Sequence, residues 1–180
     1  IFIGLELMSI SSYVLVGMKR KVAITNEAAL KYFLLGAFST GFMLYGISML
    51  YGATGSTLIP VIISEIQQSN TNNPLIVVGT SLLVIALSFK IAIVPFHMWT
   101  PDVYTGAPTP VTGFLSGAAK AAGFSVFIRV LMTGMTNNQL NWENLFWILA
   151  VLTMTVGNIL AIRQSEIKRM LAFSSIAHAG

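Results

Sequence analysis

Cysteine is absent from this chain, and charge is scarce. Of 180 residues only 10 are Lys or Arg and 6 are Asp or Glu, so 9% carry charge. A soluble domain charges about a quarter of its positions, so too little polar surface is available here to hold the chain in water. A soluble enzyme is thereby excluded. Intrinsic disorder is excluded as well, because disordered chains lack the Leu, Ile, Val and Phe that abound here. Without cysteine there is no disulfide framework, thiolate cluster or thiolate-ligated iron–sulfur centre. The two histidines, His97 and His178, are too far apart in sequence to make a metal motif. Ten basic residues scattered along the chain, with a net charge of +4, form no stripe that could follow phosphates, so nucleic acid is not expected as a partner. No Gly-rich phosphate loop, nucleophile triad or carboxylate cluster occurs, and no cofactor is expected in this chain.

What the sequence does contain is long apolar runs: 55% of residues are apolar, and the lipid bilayer is the expected surroundings. A transmembrane helix needs roughly 20 such residues, and the charges mark where the runs can end. Ile1 to Met18 is the first, closed by Lys19-Arg20-Lys21. The second starts after Thr25-Asn26 and runs to about Gly52. Between Thr54 and Asn73 the apolar piece Leu58 to Ile66 is too short to span, and reads as an interfacial or re-entrant helix. The third, Pro74 to about Trp99, is interrupted by Pro95. After a polar turn from Thr100 to Pro110, a fourth runs from Val111 to Met135, and a fifth from Asn144 to Ile162. A sixth starts near Met170. The expected fold is therefore an all-α polytopic membrane protein of about six transmembrane helices, one of them broken at Pro95. The chain has no initiator Met or signal-peptide n-region and stops inside an apolar stretch, so it reads as an internal fragment truncated at both ends.

Basic residues in short loops set orientation. Lys19, Arg20 and Lys21 flank one loop, and Arg163, Lys168 and Arg169 another, with four spans between them. Both loops fall on one side, the cytoplasmic or matrix-like side, and the Thr100 to Pro110 turn shares it. The loops around Asn70 and Asn137 carry no Lys or Arg.

Ionisable residues at membrane depth cost about 2.5–3.5 kcal/mol each on insertion scales, and they face a bundle interior or a water-filled path. Lys90 lies ten positions before Thr100 and Lys120 ten after Pro110, so at 1.5 Å per residue each sits ~15 Å from the shared turn. That is mid-depth in a hydrocarbon layer ~30 Å thick. Burial disfavours the charged form of an amine, which makes lysines at such a depth candidates for exchanging a proton; the competing reading is a pair of ammonium groups bonded to carbonyls for packing alone. Pro95 has no N–H to give to the carbonyl of Ile91, so the helix must kink or break one turn after Lys90. His97, nearly two turns beyond Lys90, reads either as a relay or as a histidine satisfied near a helix end. Around Lys120 the run Ser116-Gly117-Ala118-Ala119-Lys120-Ala121-Ala122-Gly123 allows close helix approach. Glu6 has no charged neighbour in its own segment and needs a partner on another helix, for which a buried lysine would serve. Lys31 follows Glu27 by four, and reads equally as a local pair or as a functional group.

At Val94-Pro95-Phe96-His97-Met98-Trp99-Thr100-Pro101-Asp102-Val103-Tyr104-Thr105-Gly106-Ala107-Pro108-Thr109-Pro110-Val111 the chain closely resembles the antiporter-like membrane subunits of respiratory complex I and its photosynthetic relatives. The resemblance extends through Gly4-Leu5-Glu6-Leu7, Ala29-Leu30-Lys31-Tyr32-Phe33-Leu34-Leu35-Gly36, the stretch around Lys120, and Lys168-Arg169-Met170-Leu171-Ala172-Phe173-Ser174-Ser175-Ile176. The Asp-Val-Tyr-x-Gly-Ala-Pro wording is most similar to the branch that contains subunit N. Sibling subunits and the Mrp cation/proton antiporters tend to show an Ala-His pair in that loop and a Met-Val-Lys before the fourth helix, both missing here. The resemblance implies two inverted five-helix repeats, each with one broken helix. Residues 1–135 would hold most of the first repeat, and 143–180 the start of the second. It also implies that Glu6 matches the family's buried glutamate, Lys90 the lysine of the first broken helix, Lys120 the central relay lysine and Lys31 an additional lysine one helix after the glutamate. The activity implied is proton translocation within an NAD(P)H:quinone oxidoreductase, alongside other membrane subunits of complex I, with the nicotinamide, flavin, iron–sulfur and quinone chemistry belonging to the complex and not to this chain. The expected location is a bacterial inner membrane, or an organellar energy-transducing one. A Mrp-type sodium/proton antiporter subunit and a purely structural membrane subunit are the competing readings.

Overall fold

A computed structural model describes residues 1–68, 73–132 and 142–180. The loops around Asn70 and Asn137, and the expected end of the fourth run at Met135, lie outside the described residues.

Among the described residues every regular element is a helix. The chain begins with α1 (Phe2–Val16), whose run ends where Lys19, Arg20 and Lys21 would otherwise enter the hydrocarbon. Next comes α2 (Ala23–Thr54), which at 32 residues is longer than the hydrocarbon is thick. Gly55 stops it in the left-handed region (φ 66°), and its N–H caps the Tyr51 carbonyl at 2.7 Å. The short piece after it forms α3 (Ile59–Gln68), ten residues long and unable to span, as expected. Asn73 caps α4 (Pro74–Ile91) by accepting from the Leu75 N–H at 3.0 Å, with Pro74 at the first helical position.

The break in the third run falls earlier than Pro95 alone predicts. The helix already ends at Ile91, and Ala92 adopts a left-handed conformation (φ 61°). The chain then crosses a cis Val94–Pro95 bond and re-enters a helix, α5 (Trp99–Gly106). A segment expected to be a polar turn is thus largely helical. The carbonyls at the break are capped from beyond it: Phe89 O accepts from the Ala92 N–H at 3.2 Å and from the indole N–H of Trp99 at 2.9 Å, and Ser88 O from the Ile93 N–H at 3.0 Å. The Val94 N–H donates to Thr153 Oγ1 at 3.1 Å, tying the break to a later helix.

The fourth span, α6 (109–132), is α-helical except for two π-helical stretches, Leu115–Ala119 and, at its described end, Ile128–Met132. The first ends immediately before Lys120. A hairpin of α7 (Trp142–Ile162) and α8 (Ile167–Ala179) completes the described fold, α8 starting three residues before the expected Met170. The chain is an all-α polytopic membrane protein: α2, α4, α6 and Glu143–Ile162 within α7 are long and apolar enough to cross a membrane, and α1 is a shorter apolar helix.

Small residues set the closest contacts. A Cβ on Gly46 of α2 would sit 2.8 Å from the Gly79 carbonyl of α4, and one on Gly157 of α7 would sit 2.7 Å from the Ala177 N of α8. Two apolar clusters fill the interior, one containing Tyr13, Tyr32, Phe89, Trp99 and Tyr104, the other Leu5, Met43, Leu83 and Phe127. In the first, Tyr32 and Trp99 stack at 4.7 Å with their planes 12° apart. Apolar side chains also cover the outside, with Ile3 81% and Trp147 68% exposed; such a surface suits lipid or neighbouring helices, not water.

Candidate functional site

Glu6 and Ser9 are three residues apart on α1 and so share one face. That face meets α4 at Lys90, whose Nζ lies 3.3 Å from Glu6 Oε1 and donates to Ser9 Oγ at 2.6 Å. Ser9 passes its own hydrogen to Leu5 O at 2.7 Å. From α2, Thr40 Oγ1 reaches Glu6 Oε1 at 2.9 Å. Three helices therefore close around one ion pair, and the partner that Glu6 lacked within its own segment is Lys90.

Lys120 is arranged differently. Its Nζ donates to the Ser175 carbonyl at 2.6 Å and to Ser175 Oγ at 2.9 Å, both on α8. Among the described residues no carboxylate pairs with it. The two lysines are not bonded to each other, yet their helices face one another. A Cβ on Gly123, one turn past Lys120 on the same face, would lie 2.8 Å from Ile91 Cγ2 and 3.9 Å from Lys90 Cβ.

Lys31 stands apart from this centre. Its Nζ pairs with Glu27 at 2.7 Å, the local contact its spacing suggested, and with Asp102 of α5 at 2.8 Å. Arg169 Nη1 holds the other carboxylate oxygen of Asp102 at 2.9 Å. Burial pushes the Asp102 carboxyl up, but Lys31 and Arg169 together outweigh it and hold the group below the usual carboxylate range. Lys168 Nζ donates to Ala107 O at 3.2 Å, and Thr25 Oγ1 to Gly106 O at 2.8 Å. The two basic loops and the α5 segment thus meet at one end of the molecule, as the loop-charge count requires.

His97 is half-buried, and its Nδ1 has no hydrogen-bond partner among the described residues. The break at Ala92 puts it on a different backbone segment from Lys90. Ser88 Oγ, Thr100 Oγ1 and Thr105 Oγ1 are likewise buried and unpartnered, and all four belong to the break or its flanks. Polar groups left so in an apolar interior are costly, which marks the break as the polar centre of this bundle.

The residues not anticipated are Ser9, Thr40, Ser175 and Arg169. For Ser9 a signal existed, its position one turn from Glu6; Ser175 carried none, since a serine in a small-residue helix reads as packing.

The family model described as NADH:quinone oxidoreductase/Mrp antiporter, TM, matches residues 1–180. A protein named NADH-quinone oxidoreductase subunit N from Trichlorobacter lovleyi is 57% identical over 181 residues, covering 100% of this chain and 37% of the relative. A chain of respiratory complex I from Thermus thermophilus superposes with a TM-score of 0.81 at 42% identity, covering 99% of this chain and 37% of that one. A chain of the Mrp complex from Dietzia sp. superposes with a TM-score of 0.85 at 23% identity over 99% of this chain and 33% of that one, a likeness of fold alone.

Proposed function

The chain belongs to the NADH:quinone oxidoreductase/Mrp antiporter transmembrane family, and on that footing we propose that it is part of a proton-translocating membrane subunit, of the subunit N kind, of an NADH:quinone oxidoreductase. It spans 37% of the length of the first relative it matches, so the activity of the whole protein is part of the proposal. Residues 1–135 make up most of a first repeat, and 143–180 begin a second. The subunit works in a bacterial inner membrane beside other membrane subunits. Nicotinamide, flavin, iron–sulfur and quinone chemistry belong to the rest of the complex, and this chain moves protons.

The observation that carries the reading is the buried Glu6–Lys90 pair facing the helix of Lys120. A structural pair would be replaced more cheaply by apolar side chains. In the proposed cycle the Glu6 carboxylate holds Lys90 protonated by Coulomb attraction. When changes in partner subunits draw Glu6 away, Lys90 releases its proton toward Lys120. His97 and Lys31 serve the same transfer, His97 through its unpartnered ring nitrogen at the break and Lys31 through the charge it shares with Asp102. The decisive experiment is Glu6→Ala in the assembled complex. Proton pumping and coupled quinone reduction fall together if the reading holds, and normal pumping at normal assembly overturns it. Co-purification with flavin and iron–sulfur subunits separates this reading from a Mrp-type antiporter.

A further inference from the structure

Glu6 is held from two sides by bonds of different kinds. From α4, Lys90 Nζ brings countercharge to Glu6 Oε1 at 3.3 Å, and from α2 the Thr40 hydroxyl brings a hydrogen to the same oxygen at 2.9 Å. That hydrogen has a second acceptor within reach. The Gly36 carbonyl, one turn back on α2, lies 3.0 Å from Thr40 Oγ1. A hydroxyl has one hydrogen to give and two lone pairs with which to accept, so it points fully at only one of the two oxygens at a time. Gly36 also fixes how closely α1 and α2 meet at this level, because a Cβ there would fall on the Tyr13 hydroxyl of α1. Thr40 is thereby kept within reach of the Glu6 carboxyl.

On the role given to Glu6 above, we propose that Thr40 is a positioning residue for the Glu6–Lys90 pair, its hydroxyl pointing to Glu6 while the pair is closed and turning to Gly36 O when the pair opens. In the closed state the carboxylate receives a charge-assisted hydrogen bond in addition to the lysine. That bond favours the charged form of Glu6, and with it the protonated form of Lys90. In the open state Glu6 has moved away, and a hydroxyl left with no acceptor in an apolar interior would oppose the movement. The Gly36 carbonyl removes that penalty. The turn is a rotation about the Cβ–Oγ1 bond, and no covalent bond forms or breaks. A Glu6 that has taken up a proton is served as well: its O–H donates to Thr40 Oγ1 while the threonine hydrogen stays on Gly36 O. Thr40 thus holds the pair closed without locking it. A valine of the same shape would offer neither bond, and a serine would offer both.

The test uses the whole complex carrying Thr40→Val or Thr40→Ser, with Glu6→Ala as reference, and reads the initial rate of proton pumping normalised to complex content. Thr40→Val slows pumping about tenfold, the size of one lost hydrogen bond to a charged group. Thr40→Ser, which keeps the hydroxyl and loses only the methyl, retains the parental rate to within about twofold, a contrast that a packing role for the side chain would not produce. Parental pumping in Thr40→Val, with pumping lost in Glu6→Ala, overturns the role of Thr40 while leaving Glu6 in its own. Equal impairment of the Val and Ser variants also overturns it, because the methyl group and not the hydroxyl then matters. Should Thr40→Val fail to assemble, Thr40→Ala takes its place beside Thr40→Ser, and equal rates in those two are the overturning result. Normal pumping in Glu6→Ala removes the reading beneath the proposal, and the proposal with it.

Discussion

Glu6 Oε1 lies 3.3 Å from Lys90 Nζ across the α1–α4 contact, with the two side chains 18% and 7% exposed. Breaking such a pair leaves one charge without its countercharge, at a cost of about 3 kcal/mol or more, whereas replacing both partners is far milder. Glu6→Gln and Lys90→Met are each expected to lower the thermal stability of the solubilised complex, and the double variant to recover most of the loss. A double-mutant cycle on the unfolding midpoint measures this; additive losses would show that the pair carries no coupling.

The α2–α4 contact depends on Gly46, where a Cβ would stand 2.8 Å from a backbone carbonyl, while nothing lies within 4 Å of one at Gly41. Gly46→Ala must push the helices apart, with an overpacking cost of about 1–3 kcal/mol. Gly41→Ala on the same helix is expected to be neutral or slightly stabilising. Unfolding midpoints of the two variants check the contrast.

Asp102 supplies a pH dependence. Its folded pKa is depressed, burial being outweighed by Lys31 and Arg169, so its stabilisation is present above the unfolded value of about 3.9 and disappears as pH falls through the lower folded value. Asp102→Asn is expected to flatten the acid side of the stability profile. Added salt should narrow the gap between parent and variant at neutral pH, because Lys31 and Arg169 are 45% and 40% exposed and open to screening. Stability measured from pH 3 to 7 at low and high salt decides it.

Trp99 donates its indole N–H to Phe89 O at 2.9 Å, covering a carbonyl that the helix break exposes. Trp99→Phe keeps an aromatic ring against Tyr32 but leaves that carbonyl with the Ala92 N–H alone, at 3.2 Å, a loss of one hydrogen bond worth about 0.5–1.5 kcal/mol. A lowered unfolding midpoint is expected, and an unchanged one would mean the carbonyl has found another donor.

The sequence made the membrane class, the helical runs and the need of Glu6 for a partner on another helix readable, because charge at depth is costly wherever it occurs. The helix break was readable in existence and not in place: proline blocks one carbonyl, but the left-handed Ala92 that ends α4 has no mark in an alanine. The α5 helix looked like a turn because Pro101, the prolines just beyond it and its polar residues outweighed a helical run only eight residues long. The Asp102 bridge to Lys31 and Arg169 joins positions 71 and 67 residues away, and nothing local signals which charges meet. Ser175 beneath Lys120 was hidden for the same reason, since a hydroxyl reads as packing until another helix is placed over it, whereas Ser9 was marked by its position one turn from Glu6.

The account stands most directly on Lys120, which pairs with no carboxylate among the described residues, so that Lys120→Met leaves no charge stranded. The measurement is the initial rate of proton uptake by membrane vesicles containing the assembled Lys120→Met complex, normalised to complex content. A fall to a small fraction of the parental rate at normal assembly is the result predicted. Parental uptake at normal assembly would contradict the account and leave the buried lysines as helix-locking groups.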